Sequence, residues 1–345
     1  MRTSDFDYHL PKDLIAQTPM EPRDHSRMMV VSRSDGSLRH RRFDDLPDLL
    51  RGGDVLVFND SRVFPARLHG RRTGTGGSIE LLLLSRLSPG VWRALVRPGR
   101  RMREGVGFEV PGDGTGPQVR GRVLGADSDG VRTLELSGEE HLHRLGVVPL
   151  PPYIHEPLAD TERYQTVYAN AEGSVAAPTA GLHFTRDLLE RVRSLGAETV
   201  FVTLHVGWDS FRPVQNEDPA SHKMHTEYWE IGRGAADAIN KAKREGRRVI
   251  SVGTTAVRLL EQAAALHAGP EGVLAAGSGW ADLFILPGFQ FRVVDALVTN
   301  FHLPRSTLLM LTSAFAGRDL VFQAYAEAIE EKYRFYSFGD SMLIL

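Results

Sequence analysis

The chain of 345 residues contains no cysteine, which excludes disulfide bonds, thiolate zinc sites, iron–sulfur clusters and a cysteine nucleophile. Its 42% hydrophobic and 24% charged residues are typical of globular proteins, and the length suits about two domains. The longest aliphatic run, residues 81–84, is far shorter than the ~20 residues of a membrane span. The first twenty residues contain Asp5, Asp7 and Asp13, whereas a signal peptide begins with basic and then apolar residues. We therefore expect a cytoplasmic protein that does not enter a membrane.

The first part of the chain predicts strands of two kinds. Residues 28–32 and 54–58 are short apolar runs of the sort found in α/β sheets. After them come short β-like runs separated by Gly and Pro turns, at regular spacing, which favours a small barrel. These runs cover residues 63–68, 78–84, 91–96, 106–110, 118–124 and 131–136.

From about residue 150 the pattern changes to helices that alternate with apolar strands, as in a sheet with crossover helices. Thr185 is placed to cap a helix that runs to about Leu195, and Gly317 to close a helix that begins at Ser306. The other predicted helices cover residues 234–245, 255–266 and 319–332, and the predicted strands cover 199–205, 249–252 and 293–299. The fold class is therefore α/β, a sheet with flanking helices plus an inserted small β-barrel.

We expect a discontinuous α/β catalytic domain of residues 1–60 and 150–345, interrupted by a barrel of residues 61–149. Residues 60–125 hold twelve arginines against five acids, a balance of +7, so the barrel is basic although the whole chain has a net charge of −2. An arginine run around the turn at Pro98 is a candidate for phosphate contacts, and a solvated charged face is the alternative. The run consists of Arg93, Arg97, Arg100, Arg101 and Arg103.

Polar side chains follow several predicted strands where each strand ends. In a parallel sheet these ends meet at one edge, beside helix N-termini, and ligands bind there. We therefore expect one ligand to be met by residues from four loops: Thr179, Gly181, His183, His205, Trp208, Asp209, Gly253, Thr254, Thr255, Asn300 and His302. Each histidine could equally bind a loop carbonyl, the threonines could simply cap a helix, and Trp208 could belong to the core.

The usual nucleotide and metal motifs are missing from the sequence. It has neither a Gly-Lys dipeptide for a P-loop nor a G-x-G-x-x-G run after a strand. His222 and His225 have the spacing of a metal pair, but the sequence shows no clear third ligand, so we expect no metal. In the aromatic C-terminal segment Phe335 is expected in the core, whereas Tyr336 and Asp340 remain candidates for binding a splayed base.

Six separate segments, in order along nearly the whole chain, resemble the S-adenosylmethionine:tRNA ribosyltransferase-isomerase family of queuosine biosynthesis. Two small departures are Ala256 and Ala281, where the family leads us to expect hydroxyl residues, and neither removes an ionisable group. The segments are 14–19 (LIAQTP), 58–63 (FNDSRV), 164–168 (YQTVY), 178–185 (PTAGLHFT), 253–255 (GTT) and 299–304 (TNFHLP).

The resemblance implies a reaction as well as a bipartite fold. The ribosyl part of S-adenosylmethionine would be transferred to the aminomethyl-deazaguanine at the tRNA wobble position and isomerised, giving epoxyqueuosine-tRNA with release of adenine and methionine. S-adenosylmethionine would be a consumed co-substrate, with no permanently bound cofactor and no metal. The expected partner is the anticodon stem-loop of tRNA, contacted by the basic barrel, and we expect the protein to be a monomer.

This chemistry needs a base to remove a proton beside the sulfonium, an acid to protonate the departing adenine, and hydrogen bonds that hold the opened sugar. The candidates for acid and base are His183, His205, Asp209 and His302, with neither role assigned to one residue. Trp208 and Glu261 could favour the sulfonium charge, and the helix start at Gly253–Thr255 could bind the methionine carboxylate.

Two other functions fit parts of the sequence. An S-adenosylmethionine-dependent RNA methyltransferase is disfavoured because the Gly-rich nucleotide motif is missing. A non-catalytic RNA-binding module is disfavoured because phosphate binding does not need four polar strand ends.

Overall fold

The computed structural model describes residues 1–112, 114, 117–127, 130–208, 214–224, 226–266 and 273–345, with the backbone alone at Pro117. The chain divides into two compact units. The first, here called the α/β unit, comprises Met1–Arg62, Pro151–Ala171 and Ala177–Leu345. The second, the barrel unit, comprises Val63–Leu150 and Glu172–Ala176. The predicted fold class, an α/β sheet with helices and an inserted β-barrel, is confirmed.

The described residues form seventeen strands and six α-helices. The strands are β1 (Arg27–Val31), β2 (Leu38–Arg42), β3 (Val55–Asn59), β4 (Ser61–Val63), β5 (Arg67–Arg72), β6 (Ser78–Ser88), β7 (Val91–Arg97), β8 (Gly107–Pro111), β9 (Pro117–Ala126), β10 (Val131–Ser137), β11 (Ala171–Ser174), β12 (Glu198–Leu204), β13 (Glu227–Ile231), β14 (Val249–Val252), β15 (Gly277–Ala281), β16 (Ala296–Asn300) and β17 (Ser341–Ile344). The helices are α1 (Leu142–Leu145), α2 (Arg186–Ser194), α3 (Arg233–Arg244), α4 (Thr254–Leu266), α5 (Thr307–Ala316) and α6 (Arg318–Glu330).

The α/β unit is built on one nine-stranded sheet of order β15-β13-β12-β3-β14-β16-β17-β1-β2. Its four central strands, β12, β3, β14 and β16, run parallel to one another. Every residue of β3, β14 and β16 is buried, as expected of parallel strands that are covered on both faces. The outer strands β13, β15 and β2 pair antiparallel with their neighbours, so the sheet is mixed.

Helices α2 and α5 begin and end at the capping residues that the sequence predicts. Thr185 precedes α2, and its hydroxyl accepts a hydrogen bond from the amide of Leu188 (3.1 Å), while Ser306 caps α5 through the amide of Leu309 (3.1 Å). Gly317 ends α5 with a φ of 88°, a conformation that glycine adopts at little cost. The predicted helices therefore begin and end within a residue or two of their expected positions.

Three predicted strands were wrong in their bounds, and one of them, 78–84, continues to Ser88. The expected strand 63–68 is broken between Val63 and Arg67, because Pro65 has no N–H to donate to a ladder. The expected strand 293–299 begins only at Ala296, because the amides of Val293 and Val294 donate instead to the carboxylate of Glu261 (3.0 and 3.1 Å).

Aromatic side chains form the part of the core that lies beside the carboxyl ends of the central strands. Phe58, near the end of β3, packs edge-on against Phe184, whose ring also meets Phe43 edge-on, with ring centroids 5.0 Å apart in both pairs. All three residues are fully buried. This packing fixes residues 179–184, a 3₁₀-helix and the residue after it, next to the sheet.

The barrel unit is a closed six-stranded barrel of order β10-β7-β6-β5-β8-β9, in which every neighbouring pair is antiparallel. Alternate residues point inward, among them Leu68, Leu81, Phe108 and Leu134, which are fully buried. No described helix of the chain is long and apolar enough to cross a membrane.

Candidate functional site

The parallel strands place their carboxyl ends on one edge of the sheet. β12 ends at Leu204, β3 at Asn59, β14 at Val252 and β16 at Asn300, so the loops that follow them emerge together. A cleft with about 490 Å³ of empty volume lies at this edge. It is lined by Ala177, Pro178, Thr179, Ala180, Val206, Gly253, Thr254, Thr255, Arg258, Thr299, Asn300, His302 and Leu308. We call it the rim cleft.

The rim cleft gathers six of the residues expected to meet one ligand. Thr179, Gly253, Thr254, Thr255, Asn300 and His302 line it, although they come from three distant stretches of sequence. Val206 lines the cleft in place of its neighbour His205. The first turn of α4 begins at Thr254, and the N–H groups of a first helical turn lack partners within the helix, so they suit an anionic group.

Asn300 is the hydrogen-bonding centre of the cleft. Its side chain is buried at the last position of β16, where Oδ1 accepts a hydrogen bond from the hydroxyl of Thr179 (2.9 Å). Its Nδ2 donates to Nε2 of His183 (3.1 Å), which leaves the ring proton of His183 on Nδ1, pointing to the hydroxyl of Ser26 at 2.7 Å. One amide side chain thus ties the 179–183 segment to the sheet.

His183 contacts the amide of Asn300 and lines a second cleft, but it does not line the rim cleft. Its ring is buried, stacks on Phe43 with centroids 4.9 Å apart, and has both nitrogens hydrogen-bonded. Burial, with the nearby positive charges of Arg334 and Arg23, lowers the pKa of His183 to about 3. The imidazole is therefore neutral at physiological pH, which suits hydrogen bonding better than carrying a proton.

The second cleft, with about 270 Å³ of empty volume, lies on the other side of His183 within the same unit. Its wall includes the turn of residues 337–339. It is lined by Pro19, Met20, Arg23, Ser26, Arg163, Leu182, His183, Ser337, Phe338 and Gly339.

His302 lies in the rim cleft itself and is held from several sides. Its Nε2 is 2.7 Å from the hydroxyl of Thr299, its amide donates to the hydroxyl of Tyr325 (2.8 Å), and its carbonyl accepts a hydrogen bond from Tyr8. Burial lowers the pKa of His302 to about 3, so this ring too is neutral at physiological pH.

His205 follows β12 on the same edge but does not line the rim cleft. Its ring lies near-parallel to that of Tyr228, with centroids 5.8 Å apart, and its Nδ1 is buried without a hydrogen-bond partner among the described residues. Burial lowers the pKa of His205, against the opposing effect of Asp60 and Glu230. Trp208, two residues after Val206, lines neither cleft, and Asp209 lies outside the described residues.

Two other predicted site residues, Gly181 and Glu261, serve the fold around the site. Gly181 packs closely on Tyr168, and a Cβ at position 181 would lie 1.9 Å from the hydroxyl oxygen of Tyr168. Gly181 lines neither cleft. Glu261 is buried about two turns after the start of α4, and its carboxylate accepts the amides of Arg292, Val293 and Val294 at 2.9 to 3.1 Å. Both residues therefore shape the protein around the site without reaching the rim cleft.

The two candidates for base binding are also engaged internally. Both oxygens of Asp340 accept backbone amides, from Arg27 (2.9 Å) and Arg334 (2.8 Å), and burial raises the pKa of this carboxyl. Tyr336 has a φ of 71° and packs its ring on Tyr153, with centroids 4.8 Å apart. Together they hold the turn of residues 337–339, which does line the second cleft.

No group of three or more His, Asp or Glu residues in the described part of the chain is arranged to hold a metal ion. His222 contacts Phe284 edge-on, and His225 lies outside the described residues.

The family model described as a queuosine biosynthesis protein matches residues 3–344. The chain belongs to this family. A protein of Dehalococcoides mccartyi strain CBDB1, named S-adenosylmethionine:tRNA ribosyltransferase-isomerase, is 55% identical over 345 residues, which cover 100% of both chains. A protein of Symbiobacterium thermophilum with the same name is 55% identical over 349 residues, again with 100% of both chains covered.

A solved structure supports the same assignment to the queuosine biosynthesis family. The crystal structure of an S-adenosylmethionine tRNA ribosyltransferase from Thermotoga maritima, at 2.00 Å resolution, is 39% identical to this chain. The alignment has a TM-score of 0.56 and covers 99% of this chain and 100% of the other.

Sequence reasoning did not single out Asn59 and Arg258, two polar residues beside or in the rim cleft. Asn59 ends β3, and its side chain donates to the carbonyl of Leu204 (2.9 Å) and accepts the amide of Leu204 (3.0 Å), which fastens the ends of two strands together. Arg258 lines the rim cleft from inside α4. A polar residue at the end of a buried strand and an arginine on an otherwise apolar helix are the signals that could have identified them.

The neutral state of His183 predicts a dependence of stability on pH. Its pKa is about 3 in the folded chain and 6.5 as the ordinary value, so its stabilising contribution is fully present above pH 6.5 and is lost as the pH falls towards 3. His183→Gln removes this titrating group. As the pH falls from about 5.5 to 4, the free energy of unfolding of the variant should therefore decrease less steeply than that of the parent protein. The two slopes should differ by about 1.4 kcal/mol per pH unit.

Urea unfolding at several pH values measures this slope. His155→Gln, a change at an exposed histidine of the same unit, is the matched control and should keep the slope of the parent protein. If the slope of His183→Gln also stayed the same, His183 would not be neutral and buried as described.

Proposed function

We propose that this chain is an S-adenosylmethionine:tRNA ribosyltransferase-isomerase. It transfers the ribosyl part of S-adenosylmethionine to the aminomethyl-deazaguanine at the tRNA wobble position and isomerises it, giving epoxyqueuosine-tRNA, adenine and methionine. The relatives that carry this name match the chain over its full length at up to 55% identity. The structural observation that carries the proposal is the rim cleft, where four parallel strands and the start of α4 bring polar groups to one edge.

The rim cleft is the proposed site for S-adenosylmethionine. Its lining combines apolar surface, from Ala177, Pro178 and Leu308, with hydroxyl and amide groups that can hold a sugar. The start of α4 offers the N–H groups of Thr254 and Thr255 to the methionine carboxylate, whereas the N–H of Gly253 donates to the carbonyl of Val298 (2.8 Å). The side chains proposed to hold the opened ribosyl unit are those of Thr179, Thr255 and Asn300.

The histidines act in this proposal mainly as neutral hydrogen-bonding groups. His302 lines the cleft and His183 supports Asn300, and both have a pKa near 3, so neither stores a proton at physiological pH. A neutral imidazole can still accept a proton in a transition state or orient a reacting group. His205 and Asp209 follow β12, and they remain proposed participants in the proton transfers, together with Trp208 near the sulfonium.

The second cleft is the proposed site for the deazaguanine base. It shares His183 with the hydrogen-bond network of the rim cleft, so a base bound there would lie beside the proposed co-substrate. Arg23 and Arg163 line it and offer donors to a nucleotide. In this arrangement Tyr336 and Asp340 act by shaping the turn of residues 337–339 and not by touching the base.

The barrel unit is the proposed contact for the anticodon stem-loop of tRNA. Arg97, Arg100, Arg101 and Arg103 are exposed, and no ion pair engages them within the described residues. Arg93 differs, because it pairs with Asp127 at 2.9 Å. Free guanidinium groups grouped around one turn suit phosphates, which position a nucleic acid without reading its sequence.

The remaining proposals concern the setting of the reaction. We propose that the chain acts as a monomer in the cytoplasm, needs no metal and binds no permanent cofactor. The comparisons give no support to the alternative of an RNA methyltransferase, since the names of the matched relatives describe ribosyl transfer.

The proposed reaction predicts the products of turnover. With S-adenosylmethionine and a tRNA that carries aminomethyl-deazaguanine, the protein should release adenine and methionine in equal amounts, with or without EDTA. Chromatography of the small molecules and mass spectrometry of digested tRNA measure both halves of the reaction. S-adenosylhomocysteine as product would establish a methyltransferase, no turnover would favour a binding module, and loss of activity in EDTA that a divalent ion restores would contradict the metal-free reaction.

The barrel proposal predicts an effect on tRNA alone. Reversing two charges with Arg100→Glu and Arg101→Glu should weaken binding to all tRNAs. It should also reduce the steepness of the plot of log K against log[salt] by about two, because each phosphate contact contributes about 0.9 to that slope. Fluorescence anisotropy over a range of salt concentrations measures both. The matched control, Arg233→Glu with Arg244→Glu on α3, makes the same change in net charge elsewhere and should leave tRNA affinity within about twofold. Equal losses in both double variants would remove the barrel turn from the interface.

A further inference from the structure

After its first turn, helix α4 carries three buried polar side chains, Arg258, Glu261 and Gln262, among apolar ones. Two of them are used by backbone groups: Glu261 accepts three amides, and Oε1 of Gln262 accepts the amides of Asp282 and Leu283. The third, Arg258, is only 4% exposed and has a donor left over. Of the three, Arg258 is therefore the residue with a buried donor that has no acceptor among the described residues.

The partners of Arg258 define which part of its guanidinium group is free. Its Nε donates to the carbonyl of Leu283 (3.2 Å), and its Nη1 donates to the carboxylate of Glu227, which is also buried. Its Nη2 is buried and has no hydrogen-bond partner among the described residues. A buried charged donor without an acceptor costs free energy, so an acceptor supplied by a ligand would recover it.

Arg258 also borders the proposed co-substrate site. It lines the rim cleft, and it lies four residues after Thr254, on the same face of α4 as the first turn. The free Nη2 and the N–H groups of that turn are thus two independent sets of donors at one end of the cleft.

The donors that remain free favour a carboxylate by their geometry, because the charge of Arg258 is already paired. Glu227 already neutralises Arg258, and its second oxygen accepts the amide of Gly207 (2.7 Å), so the pair is fixed to the loop after β12. A carboxylate, which is planar and accepts two hydrogen bonds side by side, matches an Nη2 donor and backbone N–H groups.

We propose that Arg258 binds the α-carboxylate of the methionine part of S-adenosylmethionine through Nη2, together with the first turn of α4. This subsite identifies one end of the co-substrate within the rim cleft and places the sulfonium and ribosyl groups further along it, towards Thr179 and Asn300. The inference rests on the proposed function. The other anion that the reaction brings is a tRNA phosphate, and the experiment separates the two.

The first arm of the test uses the unaltered protein and changes the ligand. At saturating tRNA, KM for decarboxylated S-adenosylmethionine should exceed KM for S-adenosylmethionine about ten- to hundredfold, the effect of losing a hydrogen bond to a charged group. The kcat values should differ by about threefold or less, because the carboxylate is remote from the bonds that change. Equal KM values for the two compounds would overturn the proposal.

The second arm changes the residue. Arg258→Met should raise KM for S-adenosylmethionine by the same ten- to hundredfold factor, leave KM for the decarboxylated compound about unchanged, and leave KM for tRNA about unchanged. The matched control is Arg248→Met, which breaks a comparable ion pair, with Asp54 at 2.5 Å, outside both clefts. It should alter stability without discriminating between the two compounds.

The outcomes separate this inference from the proposed function. If Arg258→Met raised KM for tRNA and not for S-adenosylmethionine, the group would bind a phosphate and the proposal would be wrong. If the unaltered protein released no adenine at all, the proposed function would fail instead. Should Arg258→Met not fold, because Glu227 is left buried without its partner, the paired variant Arg258→Met with Glu227→Gln and the ligand comparison still decide the question.

Discussion

The parallel pairing of β12, β3, β14 and β16 is the constraint on which the rest of the α/β unit depends. Parallel strands must all be entered from the same side, so their carboxyl ends share one edge and the following loops converge there. Residues as far apart in sequence as Thr179, Thr254 and His302 line one cleft for this reason. The antiparallel strands are confined to the outer positions, where they do not disturb this edge.

Two asparagines at the ends of these strands hold neighbouring segments together at the edge that carries the proposed site. Asn59 closes β3 onto the end of β12, and Asn300 closes β16 onto the 179–183 segment. Both amides are buried and make hydrogen bonds through their oxygen and nitrogen atoms, and the carbonyl and amide of Leu204 allow Asn59 one favourable orientation. The polar groups of the rim cleft are therefore held in place before any ligand binds, which lowers the entropic cost of binding.

Much of this arrangement could be predicted from the sequence because it depends on local patterns. Alternating runs and turn residues predicted four of the six barrel strands to within two residues at each end, and hydroxyl caps at Thr185 and Ser306 predicted two helix starts. The convergence of the loops after β14 and β16 required only the assumption of parallel order, which holds for the central strands. The segment 179–183 follows no strand of this sheet and is held beside it by hydrogen bonds to Asn300.

The parts that could not be predicted depend on contacts between distant residues. Glu261 carries a charge that suggests a ligand, yet it serves the backbone of residues 292–294, which lie some thirty positions away in sequence. The sequence does not distinguish Arg258 from the other arginines of an arginine-rich chain. Its burial beside Glu227 shows that its Nη2 has no acceptor among the described residues. The neutral state of His183 likewise follows from burial, which spacing does not reveal.

Hydrogen exchange with and without S-adenosylmethionine tests the central claim most directly. Both samples should contain a tRNA without the aminomethyl group, so that no turnover occurs. The account predicts that S-adenosylmethionine slows exchange together in peptides covering residues 177–183, 253–258 and 299–302, while the barrel strands β5 to β10 exchange as before. Protection confined to the barrel, or to one of the three segments alone, would contradict a single co-substrate site at the carboxyl ends of the parallel strands.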